Sequence, residues 1–219
     1  MAIDTKICGI NSAPALDAAV KGGARFVGFV FYARSPRALD AEAAAALAGR
    51  VPRGISRVGL IVDESNESID AILRQVPLDM LQLHGQETPA RVGEIRRRFG
   101  KPVMKAIKVA TNADVESAAP FDGTADWLLF DAKTPPQMAN ALPGGNAISF
   151  DWTLLADRRW NRPWMLSGGL NAGNLAEAVR VTGAPVVDVS SGVEDQPGVK
   201  SPAKIEAFLT LARSLSPGA

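Results

Sequence analysis

Eight short apolar segments rich in β-branched residues alternate with segments of helical pattern along the chain. The strands are expected at residues 5–9, 25–31, 56–62, 79–83, 102–107, 126–130, 162–166 and 185–189. The helices are expected at residues 13–21, 41–50, 65–75, 89–99, 111–119, 152–157, 172–182 and 203–214. Apolar strands that are each followed by a helix are typical of a parallel sheet whose outer face is covered by helices.

The spacing of these segments distinguishes between two arrangements of parallel strands. Eight strand–helix units in 219 residues leave about 27 residues for each unit, which is compact but sufficient for a closed (β/α)8 barrel. No stretch rich in Gly, Pro and Ser divides the chain into separate parts. We therefore predict an α/β fold, a single TIM-barrel domain over residues 1–219. A doubly wound open sheet is the alternative, and the regular spacing favours the barrel.

Composition and charge exclude several classes of partner. The formal net charge is +1, without a stripe of basic and aromatic residues, so we expect no nucleic-acid partner. No apolar run approaches the length of a membrane span, and residues 1–6 do not resemble a signal peptide. One cysteine allows no internal disulfide and fits a reducing compartment. We expect a cytoplasmic protein without a membrane partner, and a monomer because no long apolar stripe is left for an interface.

Residue types that bind metals and cofactors are scarce in this sequence. One histidine and one cysteine cannot supply a cluster of transition-metal ligands, and the acidic residues lack the spacing of a calcium loop. Neither a dinucleotide-binding fingerprint nor a Walker motif is present. We therefore expect no metal and no cofactor.

Two strands near the end of the sequence each run into a turn of small residues, Ser167–Gly169 and Ser190–Gly192. In (β/α)8 barrels, the adjacent loops after strands 7 and 8 commonly bind phosphate through backbone N–H groups. The residues expected to hold a phosphate are Gly168, Gly169, Ser190, Ser191 and Gly192. Because glycine lets the backbone approach a ligand closely, a side chain at Gly169 or Gly192 is expected to weaken binding more than folding.

Ionisable residues lie at the carboxyl ends of other expected strands, where barrel enzymes place their chemistry. Cys8 ends the first strand, and its thiolate can act as a base or nucleophile if positive potential stabilises it. Asp131 ends an apolar strand, where a carboxyl group can stay protonated and act as an acid. Arg37 suits a second anionic group on the ligand. A hydrogen-bonding structural role is expected for Asp188. For His84, a structural role and a catalytic role are both compatible with the sequence.

The motifs that carry these residues, taken in order, resemble those of phosphoribosylanthranilate isomerases. They are residues 6–9, 28–31, 35–37, 81–85, 130–133, 150–152, 167–170 and 188–194. The resemblance implies the third step of tryptophan biosynthesis on a single (β/α)8 barrel. That step is the Amadori rearrangement of N-(5-phosphoribosyl)anthranilate to 1-(2-carboxyphenylamino)-1-deoxy-D-ribulose 5-phosphate.

The same resemblance implies roles for individual residues. Asp131 would protonate the furanose ring oxygen, and Cys8 would remove the proton from C2 of the sugar. Arg37 would hold the anthranilate carboxylate, and the two glycine-containing turns would hold the phosphate. His84 and Asp188 correspond to active-site positions without a firm role.

The sequence departs from the family pattern at two places. The loop after strand 6 usually reads Gly-Gly-Thr-Gly or Gly-Gly-Ser-Gly, whereas here it is Gly144-Gly145-Asn146-Ala147. Because alanine disfavours a positive φ, we expect the loop to avoid that conformation at Ala147. Ser201 stands where the family commonly has aspartate, and it is expected to cap the last helix in its place.

Two other functions remain as alternatives. A sister isomerase of histidine biosynthesis performs the same rearrangement on a substrate with two phosphates. It requires an aspartate in place of Cys8 and a phosphate turn after strand 3, where residues 62–64 are Val-Asp-Glu. A non-catalytic sugar-phosphate binding protein is the second alternative, and the presence of both Cys8 and Asp131 argues against it.

Overall fold

Eight parallel strands pair in chain order, and the last pairs with the first, which closes a barrel. The protein is described by a computed structural model that covers residues 2–135, 137–138, 142 and 144–216. The strands are β1 (Asp4–Cys8), β2 (Phe26–Val30), β3 (Ser56–Ile61), β4 (Met80–Leu83), β5 (Val103–Val109), β6 (Trp127–Ala132), β7 (Trp164–Leu166) and β8 (Val186–Val189). The closing pair sets Lys6 of β1 beside Asp188 of β8. The predicted barrel is confirmed, and the open sheet is excluded.

Helices follow the strands on the outside of the barrel. Within the described residues, the α-helices are α1 (Ala13–Lys21), α2 (Ala41–Ala48), α3 (Asn66–Gln75), α4 (Pro89–Phe99), α5 (Asn112–Glu116), α6 (Leu175–Thr182) and α7 (Pro202–Ser214). Several begin at a side chain that accepts one of the free N–H groups of the first turn, as Thr88 does for α4 and Thr111 for α5. The helix expected at 152–157 is a short 3-10 helix, Trp152–Leu155.

The interior of the barrel has an apolar layer at its lower end. This layer consists of Phe26, Val58, Met80, Met104, Ala106, Leu129, Met165 and Val186. Side chains alternate along a strand, so residues two positions further on also point inward, nearer the carboxyl end. These positions hold Gln82 after Met80, Asp131 after Leu129, and Asp188 after Val186. The strand period thus places polar groups directly above an apolar floor.

A second apolar core fills the space between the strands and the helices. Ile7, Phe29 and Phe130 point outward from their strands into this core and are fully buried, as is Phe208 of α7. Burial on both faces of the strands explains why they read as nearly continuous apolar runs. No helix of the described residues is long and apolar enough to cross a membrane.

A small antiparallel hairpin follows β8 and was not expected from the sequence. Its strands are β9 (Glu194–Gln196) and β10 (Val199–Lys200). Two or three residues are too few for a period-two pattern to be recognised. Ser201 follows at the N-cap position of α7, but its side chain makes no capping hydrogen bond, so the expected capping role is wrong.

Candidate active site

A cavity of about 640 Å³, open to solvent, lies at the carboxyl-terminal end of the barrel. Every predicted site residue except Gly192 lines this cavity. The lining members of that set are Cys8, Arg37, His84, Asp131, Gly168, Gly169, Asp188, Ser190 and Ser191. The structure therefore brings residues from six strands and their loops to one place, as the barrel prediction requires.

Cys8 lies above a buried ion pair that joins the first and last strands. Lys6 is completely buried, and its Nζ donates a hydrogen bond to Oδ1 of Asp188 at 2.8 Å. Oδ2 of Asp188 accepts from Oγ of Ser167 at 3.0 Å. Gly28 lies opposite Cys8 on β2 and leaves room for the side chains of Cys8 and Lys6. A Cβ at this position would lie 3.0 Å from Sγ of Cys8 and 3.2 Å from Nζ of Lys6.

The electrostatic environment of Cys8 contains opposing effects. Burial raises the pKa of the thiol, and the positive charge of Lys6 opposes this but does not cancel it. The carboxylate of Asp188 raises the pKa of Cys8 further. Burial lowers the pKa of Lys6, but Asp188 and Cys8 raise it overall, so Lys6 remains a cation. The positive potential expected near Cys8 is present, but burial outweighs it.

Asp131 is held by a short chain of side-chain contacts from β4. Its Oδ2 lies 3.1 Å from Nε2 of His84, and Nδ1 of His84 lies 2.9 Å from Nε2 of Gln82. Residues 82 and 84 are separated by one strand period, so both point into the barrel. All three side chains are buried. His84 therefore orients Asp131, and Gln82 orients His84.

Arg37 is anchored by the unexpected hairpin. Its Nε and Nη2 donate to the carboxylate of Glu194 at 2.7 and 2.8 Å. Lys200 donates to the same carboxylate at 2.5 Å. Burial raises the pKa of Glu194, but its contacts with Arg37 and Lys200 lower it overall. The ion pair with Glu194 holds the guanidinium of Arg37 at the edge of the cavity. Nη1 of Arg37 donates to no acceptor within the described part of the chain.

Gly144 and Gly145, in the described part of the loop after β6, lie against the Asp131 side of the cavity. A Cβ at Gly144 would lie 2.8 Å from Nε2 of His84 and 2.9 Å from Oδ2 of Asp131. A Cβ at Gly145, where φ is +74°, would lie 2.6 Å from Nη1 of Arg37. These two glycines are therefore required by the close approach of the loop backbone to the site.

The expectation for Ala147 is wrong. Its φ is +57°, in the left-handed region that an alanine side chain disfavours. The chain leaves the cavity at Gly145 and continues to the 3-10 helix that begins at Trp152, and residue 147 lies on this path. Asn146 supports this path. Its Oδ1 accepts a hydrogen bond from the backbone N–H of Leu142, and its Nδ2 donates one to the carbonyl oxygen of Leu142.

The turns after β7 and β8 differ from the expectation in one respect. Gly168 and Gly169 have φ values of +89° and +63°, and their N–H groups donate to no acceptor among the described residues. Gly192 packs against the neighbouring turn, since a Cβ there would lie 1.9 Å from the carbonyl oxygen of Leu170. A Cβ at Gly169 would meet the backbone of Ile148 at 2.7 Å. Packing within the protein therefore requires both glycines, and a side chain at either would disturb folding as well as binding.

Sequence reasoning assigned no role to four residues that shape the site. They are Lys6, Gln82, Glu194 and Lys200. The signal was available for the first two, because each is a polar residue at an inward position of an otherwise apolar strand. Glu194 and Lys200 depend on the hairpin, which could not be read from so short a segment.

The barrel and the ionisable groups inside its mouth define a (β/α)8-barrel enzyme equipped for proton transfer. The family model for N-(5'phosphoribosyl)anthranilate (PRA) isomerase matches residues 5–210. The chain belongs to this family and is an isomerase.

Individual relatives show the same agreement over the whole length. An N-(5'-phosphoribosyl)anthranilate isomerase from Rhodospirillum centenum is 61% identical over 215 residues, which are 98% of this chain and 100% of the relative. The phosphoribosyl anthranilate isomerase of Thermotoga maritima has a TM-score of 0.86 and 36% identity, covering 97% of this chain and 100% of that one. That protein is described as dimeric. A solved family member with a TM-score of 0.82 and 35% identity, at the same coverage, holds reduced 1-(o-carboxyphenylamino)-1-deoxyribulose 5-phosphate.

Replacing Ala147 with glycine is expected to stabilise the protein. Glycine adopts the observed positive φ without the steric cost that alanine bears, so Ala147→Gly should raise the free energy of unfolding by about 1 kcal/mol. Urea unfolding followed by circular dichroism measures this. Ala46→Gly, at an exposed position in α2, is the matched control and should lower the same quantity by about 1 kcal/mol. A loss of stability in Ala147→Gly would contradict the strained path of the loop.

Proposed function

We propose that the chain catalyses the Amadori rearrangement of N-(5-phosphoribosyl)anthranilate to 1-(2-carboxyphenylamino)-1-deoxy-D-ribulose 5-phosphate, in tryptophan biosynthesis. Asp131 is the general acid and Cys8 is the general base. The observation that carries the proposal is that the carboxyl of β6 and the thiol of β1 line one cavity. A sugar bound between them can exchange protons with both groups.

The first step is the opening of the furanose ring. Asp131 donates a proton to the ring oxygen while the bond between that oxygen and C1 breaks, and the nitrogen lone pair forms an iminium with C1. The ring oxygen keeps the proton as a hydroxyl group. His84 supports this step because its contact with Oδ2 fixes the direction of the carboxyl.

The second step is the loss of the C2 proton. The thiolate of Cys8 takes this proton, and its electron pair forms the C1–C2 double bond of an enolamine as the iminium nitrogen becomes neutral. In the final tautomerisation C1 gains a proton and the C2 hydroxyl loses one. No proton is consumed overall, so these side chains complete the isomerisation, and we expect it to need neither a metal nor a cofactor.

The two anionic groups of the substrate fit opposite sides of the cavity. The free N–H groups of Gly168 and Gly169, with Ser190 and Ser191 nearby, suit the phosphate. Arg37 presents its remaining N–H groups to the anthranilate carboxylate from the side of the β9–β10 hairpin. The ligand in the related solved structure carries the same two groups, a phosphate and an o-carboxyphenyl ring.

The organisation of the protein in the cell is part of the proposal. All eight strands contribute to one barrel, so we propose that residues 1–219 act as a single catalytic domain, and we place it in the cytoplasm. We also propose that the protein is a monomer. Within the described residues, the large apolar side chains that are exposed are Met138 and Val199. Two such side chains are too few for an extensive interface.

Removing either proposed proton-transfer group should nearly abolish turnover. Loss of a general acid or base typically costs about 10²–10⁴-fold in rate, so Cys8→Ala and Asp131→Asn should each lower kcat by that order. Turnover is followed as the loss of the anthranilate fluorescence of the substrate. Binding of the product should survive in both variants, because neither residue is assigned to the phosphate. Near-native turnover in either variant would refute this mechanism.

Replacing Asp188 with asparagine should change the pH dependence of activity. The Asp188 carboxylate raises the pKa of Cys8, so its removal lowers that pKa and the thiolate persists to lower pH. The acid limb of the kcat/KM profile should therefore move to lower pH in Asp188→Asn. Asparagine still offers an acceptor to Lys6, although the buried pair loses one of its two charges. An acid limb that stays in place, or moves upward, would contradict the assignment of that limb to Cys8.

Arg37→Ala should raise KM selectively. Truncating one half of a buried charge contact costs about 2–4 kcal/mol of binding, and here the cost falls on the substrate that carries the ortho-carboxylate. The phosphoribosyl derivative of aniline, which lacks the carboxylate, is the matched control and should bind almost unchanged. Lys200 still neutralises Glu194 in this variant. An equal loss for both substrates would show that Arg37 acts elsewhere.

A further inference from the structure

Gln82 carries an unexplained buried polar atom. Its side chain is completely buried, and its Nε2 contacts Nδ1 of His84 at 2.9 Å. Its Oε1 has no hydrogen-bond partner among the described residues. Buried polar atoms are nearly always paired, so an unpaired one calls for a functional explanation.

The two ends of an amide have nearly the same shape, and a half-turn of the Gln82 side chain exchanges them. In the observed orientation, the amide N–H donates to Nδ1 of His84. The proton of the neutral imidazole is then on Nε2, which donates to an ionised Asp131. In the other orientation, Oε1 accepts from Nδ1–H, and Nε2 becomes an acceptor for a protonated Asp131.

We propose that Gln82 is a positioning residue that lets His84 hold Asp131 in both of its protonation states. This inference rests on the proposed role of Asp131 as the general acid. Such an acid must be protonated before ring opening and ionised after it, so a partner that only donates or only accepts fits one state alone. In the observed orientation Oε1 is unpaired within the described residues; in the other orientation Oε1 bonds Nδ1–H, and the amide N–H groups take the unpaired place.

The surroundings of His84 restrict its choice of partners. Each ring nitrogen contacts one side chain within the described residues, Gln82 or Asp131. The backbone at Gly144 packs against the far side of the contact with Asp131, where even a Cβ would come within 3 Å. Among the described residues, the other ionisable groups lining the cavity or next to the loop after β4 are Lys6, Cys8, Tyr32, Arg37, Asp63, Glu87, Lys105, Lys108 and Asp188.

The chain has one histidine, so 15N labelling of histidine gives signals from His84 alone. Spectra of the full-length protein, recorded over a range of pH, distinguish the protonated ring nitrogen from the unprotonated one. We expect the proton on Nε2 at high pH and on Nδ1 once Asp131 is protonated. Asp131→Asn should abolish this exchange. Cys8→Ala should retain it, which excludes the titration of the thiol as its cause. The same nitrogen protonated throughout, or an imidazolium formed while Asp131 is still ionised, would overturn the inference.

Two variants of Gln82 test the consequence for catalysis. Gln82→Met fills similar space without a donor or acceptor, and it should lower kcat by at least about tenfold with KM little changed, as when a partner that orients a catalytic group is removed. In Gln82→Glu the ionised carboxylate can only accept, so it should keep a proton on Nδ1 over the pH range in which that carboxylate is ionised. Wild-type kcat in Gln82→Met would overturn the inference. If Gln82→Met fails to fold, the 15N spectra of the wild-type protein still test whether the protonated nitrogen of His84 changes with pH.

The outcomes separate this inference from the proposed function. A protein that shows the exchange of protonated nitrogens but does not turn over the substrate would refute the proposed function and leave the role of Gln82 intact. An active isomerase whose His84 keeps one protonated nitrogen would refute the role of Gln82 alone.

Discussion

The ion pair between Lys6 and Asp188 is the contact on which the rest of the structure depends. It joins β1 to β8, the two strands that close the barrel. Both groups are buried, and separating two buried charges costs far more than breaking an exposed pair. The same pair lies beneath Cys8 and supplies the two largest charge effects on the pKa of its thiol. Closure of the fold and the electrostatics of the proposed base therefore rest on one interaction.

Three further buried ion pairs, formed by two carboxylates, fix the mouth of the barrel in the same way. Arg37 and Lys200 share the carboxylate of Glu194, and Lys105 pairs with Glu87 at 2.6 Å. Each carboxylate also bonds a nearby backbone N–H, as Glu87 does at Gly85. Charges held in this manner lose little freedom when a ligand binds, because they are already in place.

Much of the site could be predicted from the sequence, because two local rules are strong. Parallel strands followed by helices place their ends at one face, which was enough to predict that Cys8 and Asp131 lie close together, and both line one cavity. The partner of Lys6 is 182 positions away in the chain, so its role could not be seen locally. Ala147 was predicted wrongly because its conformation follows from the path of the loop over the cavity. Gly192 was assigned to ligand binding, although its space is occupied by a neighbouring carbonyl.

The great sequence separation of the Lys6–Asp188 contact has a consequence for synthesis of the protein. The ribosome produces β1 first and β8 almost last, so the first strand lacks one of its two neighbours until most of the chain has emerged. Throughout that time Lys6 remains without its carboxylate, and the thiol of Cys8 is accessible to oxidants and to other chains. The residue proposed as the base thus obtains its final environment only after β8 has been synthesised.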